Sequence, residues 1–225
     1  MTLSMTNKLN YHPDHVMLVE FAAGTLETAA SICVSAHLHF CKQCREDLMS
    51  LNEVGAKLMA EATPEPVGDE VFDSVMAAID GKEPVKELQD LHSASTSFPF
   101  SVSKLISGSA TTLTWKRLSA SVDIARFKTG QKEFEVALHK ICAGGKTPKH
   151  DHHGLEYTVV LKGSFSDERA VYREGDFLLR QPGDVHQPMG AQNGECICLS
   201  ALAAPINLSN PLGFLMKPWL RINPM

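Results

Sequence analysis

The sequence predicts an α+β protein, a small all-α N-terminal domain followed by an antiparallel β-barrel. Three observations predict it. Apolar residues recur at helical spacing through the first third of the chain, the spacing changes to alternation further on, and glycine-containing turns then follow at short intervals. Between the two patterns, Gly81 to Ser103 holds Pro84, Pro99 and five serines from Ser93 onward, with little periodicity. The expected division is residues 1–85 for the helical domain, 86–104 for a linker and 105–225 for the barrel. No internal repeat is visible.

The helical elements follow in order. Pro13 suits a first helical turn, Val16, Met17, Leu18 and Phe21 follow it, and Gly24 is a natural stop. A second helix is expected from about Glu27 to Phe40 and a third from about Cys41 to Ala60, the latter with Leu48, Leu51, Val54 and Leu58 at helical spacing. Pro64 and Pro66 break the pattern. Beyond them Asp69 to Asp80 is strongly amphipathic: Val71, Phe72, Val75, Met76 and Ile79 form one stripe, and Gly81 ends it. Such a stripe more commonly packs on its own domain, but a helix on a proline-rich tether can also lie in a partner's groove.

In the second half Val122 and Ile124, then Phe134, Val136 and Leu138, alternate with polar neighbours as half-buried strands do. Tyr157 to Leu161 and Phe177 to Leu179 read as further strands, with turns at Gly163, Gly175 and Gly183. Short strands at this spacing suggest a barrel or sandwich of roughly 100 residues.

Composition narrows the function. A net charge of -5 gives no support for direct nucleic-acid binding, which needs clustered Lys and Arg. Met1 to Asn10 lacks the apolar stretch of a secretory signal, and no apolar run approaches the roughly 20 residues that span a bilayer. A cytoplasmic protein without a membrane partner is expected. There the six cysteines are thiols or metal ligands rather than disulfides. Cys142, Cys196 and Cys198 fall on expected strands and read as small buried hydrophobes rather than reactive thiols.

His37, Cys41 and Cys44 stand at i, i+4 and i+7, which near a helix junction brings all three to one face. Two thiolates and an imidazole suit Zn2+, and a closed structural site needs a fourth ligand, for which His12, His15 and His39 are candidates. A redox pair would instead follow a strand in a thioredoxin-like unit, and none is read here. A metal would add directly to the folding energy of so small a helical domain. His12 with the following PDHVMLVEFAAGTL, and then HLHFCKQC, is similar to the zinc-binding anti-sigma domain of the ChrR family. The resemblance implies that a histidine ahead of the first helix joins the His-x3-Cys-x2-Cys element. Counting back from Ala22-Ala23-Gly24, that histidine falls on His12, with His15 the rival. It also implies that the helical domain clamps an extracytoplasmic-function sigma factor and keeps it from RNA polymerase.

Gly144, His150, His152, Glu156 and Gly163 match the first cupin motif at each fixed position. On an extended strand residues two apart face the same way, so His150 and His152 point inward together, and Glu156 returns to that parity. RQPGDVHQP supplies His186 as the fourth ligand; PGDVH is one residue shorter between proline and histidine than the commonest cupin form. His153 breaks the inward parity. Three imidazoles and a carboxylate suit Zn, Mn, Fe or Ni; a metal-free barrel with a solvated histidine loop is the plainer alternative.

By the resemblance, which spans nearly the whole chain, the protein is an anti-sigma factor. The cupin half would receive an oxidative signal, singlet oxygen or a related oxidant in known relatives, and promote release of the sigma factor. Cupins also pair in many cases, so a homodimer through the barrel is a further expectation. The competing reading is an enzyme, a metal-dependent cupin oxygenase or isomerase with an accessory zinc domain, since such a ligand set can hold iron with open positions. A passive metal-storage or scaffolding protein is the third.

Overall fold

The computed structural model describes residues 9–81, 98–108, 113–130, 132–204 and 206–208. Residues 1–8 and 82–97, which include most of the expected linker, lie outside them. The described chain up to Leu51 and from Phe98 onward packs into one compact unit, and the residues between Asn52 and Ser97 belong to a second.

The first two helices start where a side chain can satisfy free N–H groups. In α1 (His15–Ala22) the Asp14 carboxylate accepts from Met17 N at 2.8 Å. In α2 (Thr28–Phe40) the Glu27 carboxylate accepts from Ala29 N and Ala30 N. Cys41, expected to open the third helix, instead adopts an extended backbone at the end of α2, and α3 (Lys42–Glu61) starts one residue later. Arg45 caps the junction from below, donating to the Leu38 and His39 carbonyls that α2 leaves unpaired.

The second unit contains the end of α3 and α4 (Asp69–Asp80), whose bounds are those expected. Every residue from Asn52 to Gly81 is exposed, Phe72 by 67% and Ile79 by 59%. The apolar stripe of α4 therefore covers nothing among the described residues.

One helix was illegible in the sequence: α5 (Phe100–Gly108), part of which falls in the segment expected to be a linker. Its serines suggest a loop, but Ser103 and Ser107 donate back to the Phe98 and Ser103 carbonyls, and Val102 is fully buried.

The remaining elements are strands, every pairing antiparallel. A six-stranded sheet runs β1 (Lys116–Ser119), β2 (Val122–Arg126), β3 (Glu135–Ile141), β11 (Cys196–Leu202), β5 (Glu156–Lys162), β8 (Phe177–Arg180). Two three-stranded sheets complete it, β10 (Met189–Gly190) with β6 (Ser164–Ser166) and β7 (Val171–Arg173), and β12 (Ile206–Leu208) with β4 (His150–His152) and β9 (Val185–His186). This is the helical region plus antiparallel cupin-like domain that the pattern predicted. Gly163, Gly175 and Gly183 turn with positive φ.

The central strands depart from half-burial. Along β5, Val159 and Leu161 join a core shared with α1 and α2, while Val160 joins an inner core with Ile141, Phe165 and Cys198. The alternation persists, but it alternates between two apolar cores because α2 covers the sheet's outer face. Cys196 and Cys198 are buried on β11 as expected, whereas Cys142 is exposed, because β3 ends at Ile141. No helix among the described residues is long and apolar enough to cross a membrane.

Helix α2 meets the sheet through small residues, and the Cys33 thiol reaches the Tyr157 carbonyl of β5 at 3.9 Å. Cys33→Leu should overpack that seam and lower stability by about 1–3 kcal/mol, read as a fall in the urea midpoint, with Cys33→Ala the milder change.

Candidate metal centres

The first centre forms at the α2–α3 junction. His12, His37, Cys41 and Cys44 offer ligand atoms that all lie within 4.8 Å of one another. His12 Nδ1 is 3.4 Å from both thiols, and His37 Nε2 is 3.3 Å from the Cys44 sulfur. His15 and His39 are exposed, so geometry separates the rivals and places His12 in the group.

The hydrogen bonds set the tautomers. A carbonyl can only accept, so His12 donates from Nε2 to the Leu9 carbonyl (3.1 Å) and keeps a lone pair on Nδ1. His37 donates from Nδ1 to the Gly175 carbonyl (2.7 Å) and keeps its lone pair on Nε2. Each free lone pair faces the thiols. Burial lowers the His37 pKa to about 4, against the contrary pull of the Gly175 hydrogen bond, and pushes the Cys44 thiol up to about 12 with help from Cys41. A neutral imidazole is ready to ligate; the thiols must give up protons to the metal that replaces them. The donor set fits zinc in a closed tetrahedral site.

The second centre lies inside the cupin-like domain. β4 pairs with β9 so that His150 stands opposite His186, and His152 follows two residues along the same strand. His186 Nε2 is 3.0 Å from the Nε2 atoms of both His150 and His152. Behind them each Nδ1 has an acceptor: the Pro148 carbonyl for His150 (2.9 Å), Glu156 for His152 (3.3 Å) and Asp167 for His186 (3.3 Å). Burial lowers the pKa of all three, to about 4 for His152 and about 3 for His186. Three neutral rings whose single protons are turned outward present three lone pairs to one point, which a cation satisfies.

Of the four residues that the cupin motif nominated, the structure brings the three histidines into one group. Glu156 stands just outside it, with one oxygen facing His152 Nδ1 and the other accepting from Thr158. It still lines the cavity of about 130 Å³ that opens beside His150 and His186, whose walls include Leu118, Val122, Ile141 and Phe165. His153 is exposed, in keeping with its parity.

Sequence reasoning missed three contributors. His139 on β3 lines the cavity, its pKa lowered by burial to about 4. Asp167 has a fully buried side chain. Burial pushes its carboxyl up, but the N–H groups of Arg169 and Ala170 and the Arg180 guanidinium outweigh that and hold it below the usual range. Tyr172 donates to Asp167 and accepts from Arg180 at 2.8 Å. No spacing rule ties Asp167 to a histidine 19 residues further on.

Fold and donors together define a class: a helical region with a two-histidine, two-cysteine centre, joined to a cupin-like domain with an inward histidine triad. The family model for the ChrR cupin-like domain matches residues 104–204. Anti-sigma-E factor ChrR of Cereibacter sphaeroides is 31% identical over 214 residues, 95% of this chain and 99% of that one. The crystal structure of Rhodobacter sphaeroides SigE in complex with the anti-sigma ChrR matches with a TM-score of 0.72 and 30% identity, covering 87% of this chain and all of that one. The chain belongs to the ChrR family.

Two outcomes follow from the geometry. His12→Ala should weaken zinc binding at the N-terminal centre by at least about 10-fold, while His15→Ala leaves it intact, both read by chelator competition. The metal-free protein should lose stability as pH falls. His37, His139, His152 and His186 are neutral in the fold with pKa values near 3 to 4, against 6.5 when unfolded. The unfolded chain thus binds more protons below about pH 6.5; the stability is fully present above that pH and is lost toward pH 4, as urea midpoints across this range will report.

Proposed function

We propose that this chain is a cytoplasmic anti-sigma factor that sequesters an extracytoplasmic-function sigma factor. In this reading residues 1–85 form the zinc-binding anti-sigma domain, 86–104 a linker and 105–225 the cupin domain. The observation that carries it is the exposed apolar stripe of α4 in a chain 31% identical, over nearly its whole length, to a protein named as an anti-sigma factor. Val71, Phe72, Val75, Met76 and Ile79 have no cover among the described residues, and an apolar face of this kind suits the groove of a protein partner. The net charge of -5 favours a protein over a nucleic acid.

Zn2+ held by His12, His37, Cys41 and Cys44 serves as scaffold for the helical region. His150, His152 and His186 hold a divalent ion in the cupin through Nε2, and Glu156 joins as the fourth ligand by turning from His152 about its own side-chain torsions. Zn, Mn, Fe and Ni all suit those donors. An oxidative signal, singlet oxygen or a related oxidant, acts at the cupin and lowers the population of the sigma-binding state, which releases the partner. Pairing of two cupin domains into a homodimer is compatible with this scheme.

The test is co-purification with the cognate sigma factor. The intact chain should yield a stoichiometric complex, and Phe72→Asp combined with Ile79→Asp should weaken it by about 10-fold or more without altering the fold, since both side chains are exposed. A chain that captures no sigma factor, or a double variant that binds as tightly, would count against the reading.

A further inference from the structure

We propose that the two metal centres are thermodynamically coupled, because one short segment, β7, the turn at Gly175 and β8, orients ligands of both. This rests on both constellations holding metal and is independent of what the partner is.

At the N-terminal centre this segment supports both imidazoles. The Gly175 carbonyl, at the turn, accepts the Nδ1 proton of His37. The segment that carries His12 is laid along the start of β8: Phe177 N donates to the Tyr11 carbonyl at 3.0 Å, and Asn10 N donates to the Asp176 carboxylate at 3.2 Å. Asp176 is 1% exposed, and its other oxygen accepts from Arg173 N across the turn at 2.8 Å. The turn lies so close that a Cβ on Gly175, whose φ is +94, would meet the Phe40 Cβ at 2.7 Å and the Leu9 side chain at 3.0 Å. The turn thus touches the end of α2 and the N-terminal segment at one point.

At the cupin centre the same segment supports His186. Arg180, the last residue of β8, donates to Asp167 at 2.6 Å, and Asp167 accepts the His186 Nδ1 proton. Tyr172 of β7 donates to Asp167, accepts from Arg180, and places its ring 4.9 Å from that of Tyr11, edge on. On one side Tyr11 is the immediate chain neighbour of His12, and on the other one carboxylate, that of Asp167, separates Tyr172 from His186.

Groups that stand behind metal ligands typically change affinity by about 10- to 100-fold when altered. Here two such sets share one short segment. Metal at the triad fixes His186, hence Asp167, Arg180 and Tyr172; that orders the turn between β7 and β8, which presents Gly175 and Asp176 to the other centre. Reciprocity requires the converse: zinc at the thiolate centre must favour metal in the cupin by the same factor. Loss of metal or of a ligand in the cupin is then felt at the centre that scaffolds the helical region, without any contact between the ions.

The experiment is a cobalt(II) titration of the full metal-free chain. The thiolate-to-cobalt charge-transfer absorbance reads the Cys41/Cys44 centre, since the cupin donors carry no sulfur. With His150→Ala and His186→Ala together, the N-terminal affinity should fall about 5- to 20-fold, within the usual range of coupling between sites. Tyr172→Phe keeps the ring against Tyr11 but removes the hydroxyl link to Asp167; in that background, emptying the cupin should change the N-terminal affinity by a smaller factor. It also serves as the test if the double variant does not fold: cupin metal affinity should then fall and the thiolate centre should weaken with it. Equal N-terminal affinity with the cupin intact and emptied overturns the coupling alone. Absence of the charge-transfer band in the unaltered chain removes the N-terminal centre and the coupling with it. Sigma-factor capture, measured separately, tests the proposed function independently of either result.

Discussion

His37 sits where the helical region meets the sheet, with no exposed surface, and its two ring nitrogens face different parts of the molecule. One donates to a carbonyl in the β7–β8 turn; the other looks at the thiol of Cys44. Because a neutral imidazole carries one proton, the first bond decides what the second nitrogen can do. The position of α2 on the sheet, the tautomer of the ligand and the completeness of the N-terminal centre therefore depend on one contact. Most of the packing around it serves that contact. Small residues on α2 let the helix approach, Phe177 meets the ring edge-on, and the glycine at 175 leaves room for Phe40.

The cupin centre uses the same logic with different acceptors. A backbone carbonyl and two carboxylates take the three Nδ1 protons, so the Nε2 lone pairs converge. Buried carboxylates are expensive unless paired, and Asp167 is paired on every side, with two backbone N–H groups, a guanidinium, a tyrosine hydroxyl and His186. That density of partners makes it a rigid anchor for a ligand rather than a titrating group. The cavity beside the triad is lined largely by apolar side chains, among them Leu118, Val122, Ile141 and Phe165.

The second unit is built on the opposite plan. From Asn52 to Gly81 nothing is buried, and an amphipathic helix shows its apolar face to solvent. A helix of 12 residues gains little stability from propensity alone, so its stripe has value only against a surface it can cover. An exposed amphipathic helix of this kind is suited to covering a partner's surface.

Much of this was legible in the sequence, because it depends on local rules. Helical period, the prolines that interrupt it and the glycines that mark turns placed α1, α4 and the principal strands to within about three residues. Ligand chemistry at fixed spacing nominated His37, Cys41, Cys44, His150, His152 and His186. What is not local was decided by tertiary structure. The choice of His12 over His15 needed the path of the segment along β8, since both histidines precede the same helix. The place of Glu156 behind His152 depended on the turn between β4 and β5, which parity alone does not describe. Helix α5 looked like a linker until α2 gave its apolar side something to cover. Asp167 and Tyr172 carry no signature at all, and the glycine that marks a turn at 175 does not announce what its carbonyl meets, because these residues stand behind ligands that lie far away in the chain, and only folding brings that turn from one half of the sequence against an imidazole from the other.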